Sequence, residues 1–198
     1  AGSRIDEHRE LKADAHVSVH NTAGSIQVQA WDKNELLLTG ELGDGVEKLE
    51  INGDAGNLNI EVKLPKRARN VEDTVLTLRV PAGARMELQG VSADIRVQGV
   101  RGVLEVNSVS GDLNLDVGSS EVEAQTVSGE VRLQAPSSKT KISSVSGDVV
   151  LRGVQGELRA EAVSGSLQVD GGGVFSEVHV NSISGDVDLG VSLASGAK

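Results

Sequence analysis

From Met86 onward the aliphatic residues of this chain fall in pairs two positions apart, and each pair returns after nine residues. The first members run Ile95, Leu104, Leu113, Val122, Val131, Thr140, Val149, Leu158 and Leu167, then Val178 and Val187 after a two-residue insertion at Gly171-Gly172-Gly173. The second members run Val97, Val106, Leu115, Ala124, Leu133, Ile142, Leu151, Ala160, Val169, Val180 and Leu189. Mostly polar residues separate them, among them Arg96, Asn114, Arg132, Gln168 and Asp188. A spacing of two puts both members on one side of an extended chain. Each pair therefore predicts a short strand with one dry and one wet face.

Between alternate strands lies a recurring hydrophobe-Ser-Gly-acid turn with an 18-residue period. It reads Val109-Ser110-Gly111-Asp112, Val127-Ser128-Gly129-Glu130, Val145-Ser146-Gly147-Asp148, Val163-Ser164-Gly165-Ser166 and Ile183-Ser184-Gly185-Asp186. A degenerate first copy stands at Val91-Ser92-Ala93-Asp94. A fixed period of this kind is the signature of stacked repeats. Coiling two half-units into each turn faces the two dry stripes against each other, whereas an open meander leaves its aliphatic face uncovered. The expected fold is all-β, a single parallel β-solenoid of about 18 residues per turn. A closed antiparallel barrel or meander is the structural alternative, since it too would gather these turns at one rim. Each turn is expected to bury four strand residues and a corner valine such as Val109 or Val127. Glycine is expected to supply a positive φ at the bend, with Ser and Asp bonding nearby main-chain groups.

The first 90 residues follow the same grammar less strictly. Ala23-Gly24-Ser25-Ile26-Gln27-Val28 echoes the later turn and strand, and Pro65 and Pro81 punctuate alternating stretches between Leu36 and Val80. The domain reading is a charged, flexible N-terminus over residues 1–10, an irregular β part over 11–85 capping the same domain, regular repeats over 86–193 and a C-terminal tail over 194–198.

Charge and composition narrow the chemistry. With 19 basic and 29 acidic residues the net charge is -10, which repels nucleic-acid backbones and anionic lipid, so no nucleic-acid partner is expected. No apolar run is long enough for a helical membrane span, and no membrane insertion within these residues is expected. The absence of cysteine removes disulfides, thiolate nucleophiles and thiolate metal sites.

The corner residues Ser110, Gly111, Asp112, Ser128, Gly129, Glu130, Ser146, Gly147, Asp148, Ser184, Gly185 and Asp186 form a structural turn ladder. A column of acids at Asp94, Asp112, Glu130 and Asp148 is also a candidate cation or partner surface. Against calcium, the acid directly precedes its aliphatic, as in Asp112-Leu113, which differs from calcium-binding nonapeptide rolls. His16 and His20, four apart on one strand, are the only other metal candidates, with His8 as a third ligand. His179 is expected to face outward. No metal or cofactor is expected. A polysaccharide hydrolase or lyase would use Asp112, Glu130 and Asp148, but sugar subsites want aromatic platforms, and the chain has only Trp31 and Phe175. Both of these are read as local packing or as partner contacts. The expectation is a protein that is not an enzyme and has no catalytic residues.

The run Asn21 to Leu42, NTAGSIQVQAWDKNELLLTGEL, then Val80-Pro81-Ala82-Gly83-Ala84, then the tandem VSGD-type strands, resembles the bacterial DUF4097 family, which carries the label "putative adhesin". The resemblance covers roughly Leu11 to Leu193. It implies a β-helical, extracytoplasmic domain, periplasmic or on the cell surface, and carries no catalytic residue onto this chain. The functional expectation is a scaffold that contacts a protein or cell-surface component. An envelope-stress sensor and a carbohydrate-active enzyme are the two other classes.

Overall fold

The alternation of aliphatic and polar residues becomes strand throughout. The computed structural model describes residues 3–67 and 69–198, and all its regular elements are β-strands. Six precede the regular repeats: β1 (Ser3–Glu10), β2 (His16–Trp31), β3 (Glu35–Leu42), β4 (Lys48–Gly53), β5 (Asn57–Lys63) and β6 (Thr74–Pro81). The repeats begin with β7 (Arg85–Gln98), β8 (Leu104–Asn107), β9 (Leu113–Asp116), β10 (Glu121–Thr126) and β11 (Val131–Gln134). They end with β12 (Lys139–Ser144), β13 (Val149–Ala162), β14 (Leu167–Ser182) and β15 (Val187–Leu193). Among the described residues no helix is long and apolar enough to cross a membrane.

The repeats coil into a parallel β-solenoid with two strand flanks of one continuous sheet. On the first flank Leu104, Val122, Thr140, Leu158 and Val178 stand in register on neighbouring strands. On the second flank Leu113, Val131, Val149, Leu167 and Val187 do the same. Every such pairing is parallel, which disposes of the antiparallel barrel. The inward residues of the two flanks share one core, and from Val17 to Val169 the paired aliphatics are almost fully buried. Successive strands in such a sheet lie about 4.8 Å apart, so each turn adds one layer to a narrow dry interior.

The stack reaches further toward the N-terminus than the regular period does. β2 is a complete turn, with Val17 beside Met86 and Ile26 beside Ile95. On its other side lie β5 and β6, with Leu58 beside Val17 and Leu76 beside Ile26. The chain thus lays down β2, leaves to build the turn on its far side, and returns as β7 on its near side. Antiparallel pairing is confined to that end, where β3 joins β6, β1 joins β3 and β4 joins β5. Ser3–Glu10, read from its charges as a flexible tail, is the outer strand β1, paired with β3 along its whole length. Ile5 explains this: it is buried in the core and anchors an otherwise charged strand.

Candidate functional site

The repeated corner joins the first flank to the second and is built alike in each turn. Ser108, Thr126 and Ser144 close their strands with inward, buried hydroxyls. These accept the main-chain N–H groups of Gly111 (3.2 Å), Gly129 (3.2 Å) and Gly147 (3.1 Å), which satisfies donors that the bend would otherwise strand. The next residue, a valine, points outward. The corner serine follows, and the hydroxyls of Ser110, Ser146 and Ser184 donate to the carbonyls of Val91, Val127 and Val163 at 3.3–3.4 Å, one turn away. Ser128 makes the same step through its main chain, its N–H donating to the Val109 carbonyl at 2.9 Å.

The acids complete the ladder. Asp94 accepts the N–H of Asp112 at 2.9 Å, Asp112 accepts that of Glu130 at 3.0 Å, and Asp148 accepts that of Ser166 at 2.9 Å. The Ser166 main-chain N–H, and then its hydroxyl, hold the Asp148 carboxyl below its ordinary value of 3.8. Each of these carboxylates caps the turn stacked on it. Glu130, one methylene longer, lies 3.9 Å from Arg132 instead. Asp186 stands exposed at the last corner, where its carbonyl accepts the N–H of Leu167 at 2.8 Å.

Two expectations about this corner are overturned. The valines are not in the core: Val109 and Val127 are each 45 % exposed and Ile183 is 75 % exposed. The inward corner place belongs to glycine: Thr126, Gly129 and Val131 face in, while the strand alternation breaks at the bend and two successive residues, Val127 and Ser128, turn outward. Nor does the corner glycine serve a positive φ, since Gly111, Gly129, Gly147, Gly165 and Gly185 are not among the positive-φ glycines. What demands glycine is stacking. A Cβ at Gly129 would overlap the carbonyl oxygen of Gly111, and one at Gly147 that of Gly129. The inward Ser/Thr column escaped the sequence reading, although its signal was present as Ser or Thr three residues before glycine in SVSG, TVSG and SVSG.

The isolated candidates find local roles. Phe175, expected either in the core or as a partner contact, is fully buried and offers no contact surface. The extra glycines admit it: a Cβ at Gly171 would strike the Phe175 ring, so the ring fills space a side chain there would need. Trp31 ends β2 half-buried, donating its indole N–H to the Glu35 carbonyl at 2.8 Å. The Lys33 ammonium and Arg79 guanidinium lie 5.1 Å and 5.9 Å from its ring centre, so its faces are already engaged. His16 lies 3.6 Å from Glu87 on the first flank, whereas His8 is on β1 beside β3. His20 has a buried Nδ1 without a partner. Exposed His179 lies 2.7 Å from Glu177. Among the described residues no three His, Cys, Asp or Glu side chains converge as a metal cage.

Outside the corners, the wet faces form columns of mixed charge. Shallow depressions run along them, one on the second flank between Asn114, Asp116, Arg132, Gln134, Arg152 and Gln168. Another lies on the first flank between Glu121, Glu123, Lys139, Lys141, Arg159 and His179. Ion pairs link neighbouring turns, with Lys139 to Glu121 at 3.9 Å and Lys141 to Glu123 at 3.7 Å.

Fold and corner together define a parallel β-solenoid whose repeated polar residues satisfy its own backbone. The chain belongs to the Toastrack DUF4097 family, whose model matches residues 5–142 and again 70–197. No curated protein matches the sequence. Among solved structures, a "putative adhesin" from Bacteroides fragilis is 12% identical, with 96% of this chain and 98% of that chain covered and a TM-score of 0.56. A "putative lipid binding protein" from Parabacteroides distasonis is 13% identical over 97% of this chain and 96% of its own, with a TM-score of 0.48. A "putative cell adhesion protein" from Clostridium sporogenes is 9% identical over 97% of this chain and 100% of its own, with a TM-score of 0.42. The Bacteroides fragilis likeness is one of fold.

Proposed function

We propose that this Toastrack domain is a non-enzymatic, extracytoplasmic interaction scaffold of the adhesin type, presenting rigid strand flanks to a protein or cell-surface component. The observation that carries this reading is the engagement of the acids. Asp112 and Asp148 accept main-chain N–H groups of the next turn and Glu130 lies against Arg132, which engages the three carboxylates a glycoside-cleaving site would use. The polar side chains of the two flanks are then the groups left to meet a partner, on a surface held flat by the stack. The adhesin description of the Bacteroides fragilis structure supports the same role and an exported location.

A photo-crosslinker placed at Gln134 on the second flank and at Arg159 on the first tests the scaffold. Purified protein is offered both host-surface glycans or glycoproteins and the bacterial envelope fraction. Capture of surface material at either flank is the expected result. Specific capture of an envelope signalling protein instead favours a sensing domain. Polysaccharide turnover that disappears in a folded Asp148→Asn variant overturns the non-enzymatic reading.

A further inference from the structure

The outward corner residues form a continuous ridge. Val91, Val109, Val127, Val145, Val163 and Ile183 are all at least 41% exposed, and main-chain hydrogen bonds between successive corners hold them in a column. The ridge is bordered by the corner serines on one side. On the other stands a nearly uncharged column of Gln89, Asn107, Gln125, Ser143, Glu161 and Asn181. In a chain of net charge -10 this nearly uncharged strip with an apolar crest gains from being covered.

The next column on the first flank says what covers it. In stack order it reads Glu87, Glu105, Glu123, Lys141, Arg159, His179, three acids followed by three bases. A two-fold axis crossing the ridge between Val127 and Val145 lays a second solenoid against the first with its axis reversed. It sets Val127 against Val145, Val109 against Val163 and Val91 against Ile183 of the second copy. The same axis brings Glu123 over Lys141, Glu105 over Arg159 and Glu87 over His179 of the second copy. Within one chain Glu123 already pairs with Lys141, Glu87 with His16 and His179 with Glu177, so Glu105 and Arg159 are the pair that the contact adds. All three acid positions meet a basic residue in one register, a match that a parallel arrangement does not offer, because there the column faces the corner side of the ridge instead of itself. The corner acids do face one another in the reversed dimer. They sit beyond the buried glycine on the other flank, however, and Asp94, Asp112 and Asp148 are bonded along the stack.

We propose that the valine ridge is a self-association surface, on which two copies of this chain pack ridge to ridge with antiparallel solenoid axes. The ridge spans about 24 Å at ~4.8 Å per turn. The contact therefore falls at the small end of specific interfaces, below ~1,200 Å², and the dimer is a weak one that forms in the micromolar range or above.

Analytical ultracentrifugation of the full chain from micromolar to millimolar concentration tests this. The expected result is a reversible monomer–dimer equilibrium. Val127→Asp, at an exposed position, weakens it at least about tenfold without changing the melting temperature. Glu105→Arg weakens it by about tenfold, and the double variant Glu105→Arg, Arg159→Glu returns it to within about threefold of the parent. Because residues 105 and 159 stand three turns apart, roughly 14 Å, that recovery cannot arise from a contact within one chain. A monomer at every concentration, a dimer indifferent to Val127→Asp, or a double variant as weak as Glu105→Arg alone each overturns the proposal.

Discussion

At the scale of single residues the corner separates two glycine roles that are easily conflated. Gly129 is required by the carbonyl of Gly111 stacked against it and not by its own dihedral angles. Gly129→Ala therefore costs about 3 kcal/mol or more, as overpacking against rigid main chain does, and thermal or urea melts measure it. Val127→Ser, two residues away, changes stability by less than about 0.5 kcal/mol, since the valine is already half in water. Thr140 occupies an aliphatic inward position, yet its buried hydroxyl has no partner. Thr140→Val is expected to raise stability by about 1 kcal/mol in the same melts. The Asp148 carboxyl is held below its ordinary 3.8, so its stabilising contribution is complete above 3.8 and is lost as pH falls through the lower folded value. Asp148→Ala is accordingly expected to melt earlier than the parent at neutral pH, with the difference closing in acid. Because the column accepts main-chain N–H groups, chelator is expected to leave the melting temperature unchanged, and a drop would reveal a bound cation.

At the scale of the element, β14 shows how a repeat absorbs an insertion. Its two ends keep register with β13, Leu167 beside Val149 and Val178 beside Leu158, while the irregularity is confined to the bend between them. The extra glycines let Phe175 turn into the core and seal that bend. Phe175→Ala is expected to cost about 3–5 kcal/mol, the value for emptying a packed aromatic site. β1 manages the opposite problem. As an outer strand it carries Arg4, Asp6, Glu7, Arg9 and Glu10 around a single buried Ile5, a charge density that discourages pairing with foreign strands.

At the scale of the molecule the stack is a chain of nearest-neighbour contacts, so local stability follows the number of layers around each turn. Native-state hydrogen exchange is expected to be slowest in β10 to β13, which are covered on both sides, and faster in β1 and β15. The turn formed by β5 and β6 reaches β2 only after the chain has left the stack and come back. It closes over an element much earlier in sequence, which carries a larger loop-closure cost than adding the next repeat.

The alternation of aliphatic and polar residues was sufficient for the strands of the regular repeats and for the turn period, because each rests on a local repeat that a stacked neighbour merely copies. It favoured the parallel coil over the antiparallel barrel that the observed pairing excludes. Parallel stacking alone decided which side of the bend Val127 takes and why Gly129 must be glycine. Those outcomes depend on the distance to the turn beneath, and no spacing within one repeat encodes that distance. The placement of β5 and β6 beneath β2, and the pairing of β1 with β3, were likewise settled by tertiary packing. Leu58, Leu76 and Ile5 could have been buried in several arrangements of similar local pattern, and only the shape of the exposed end of the core selects among them.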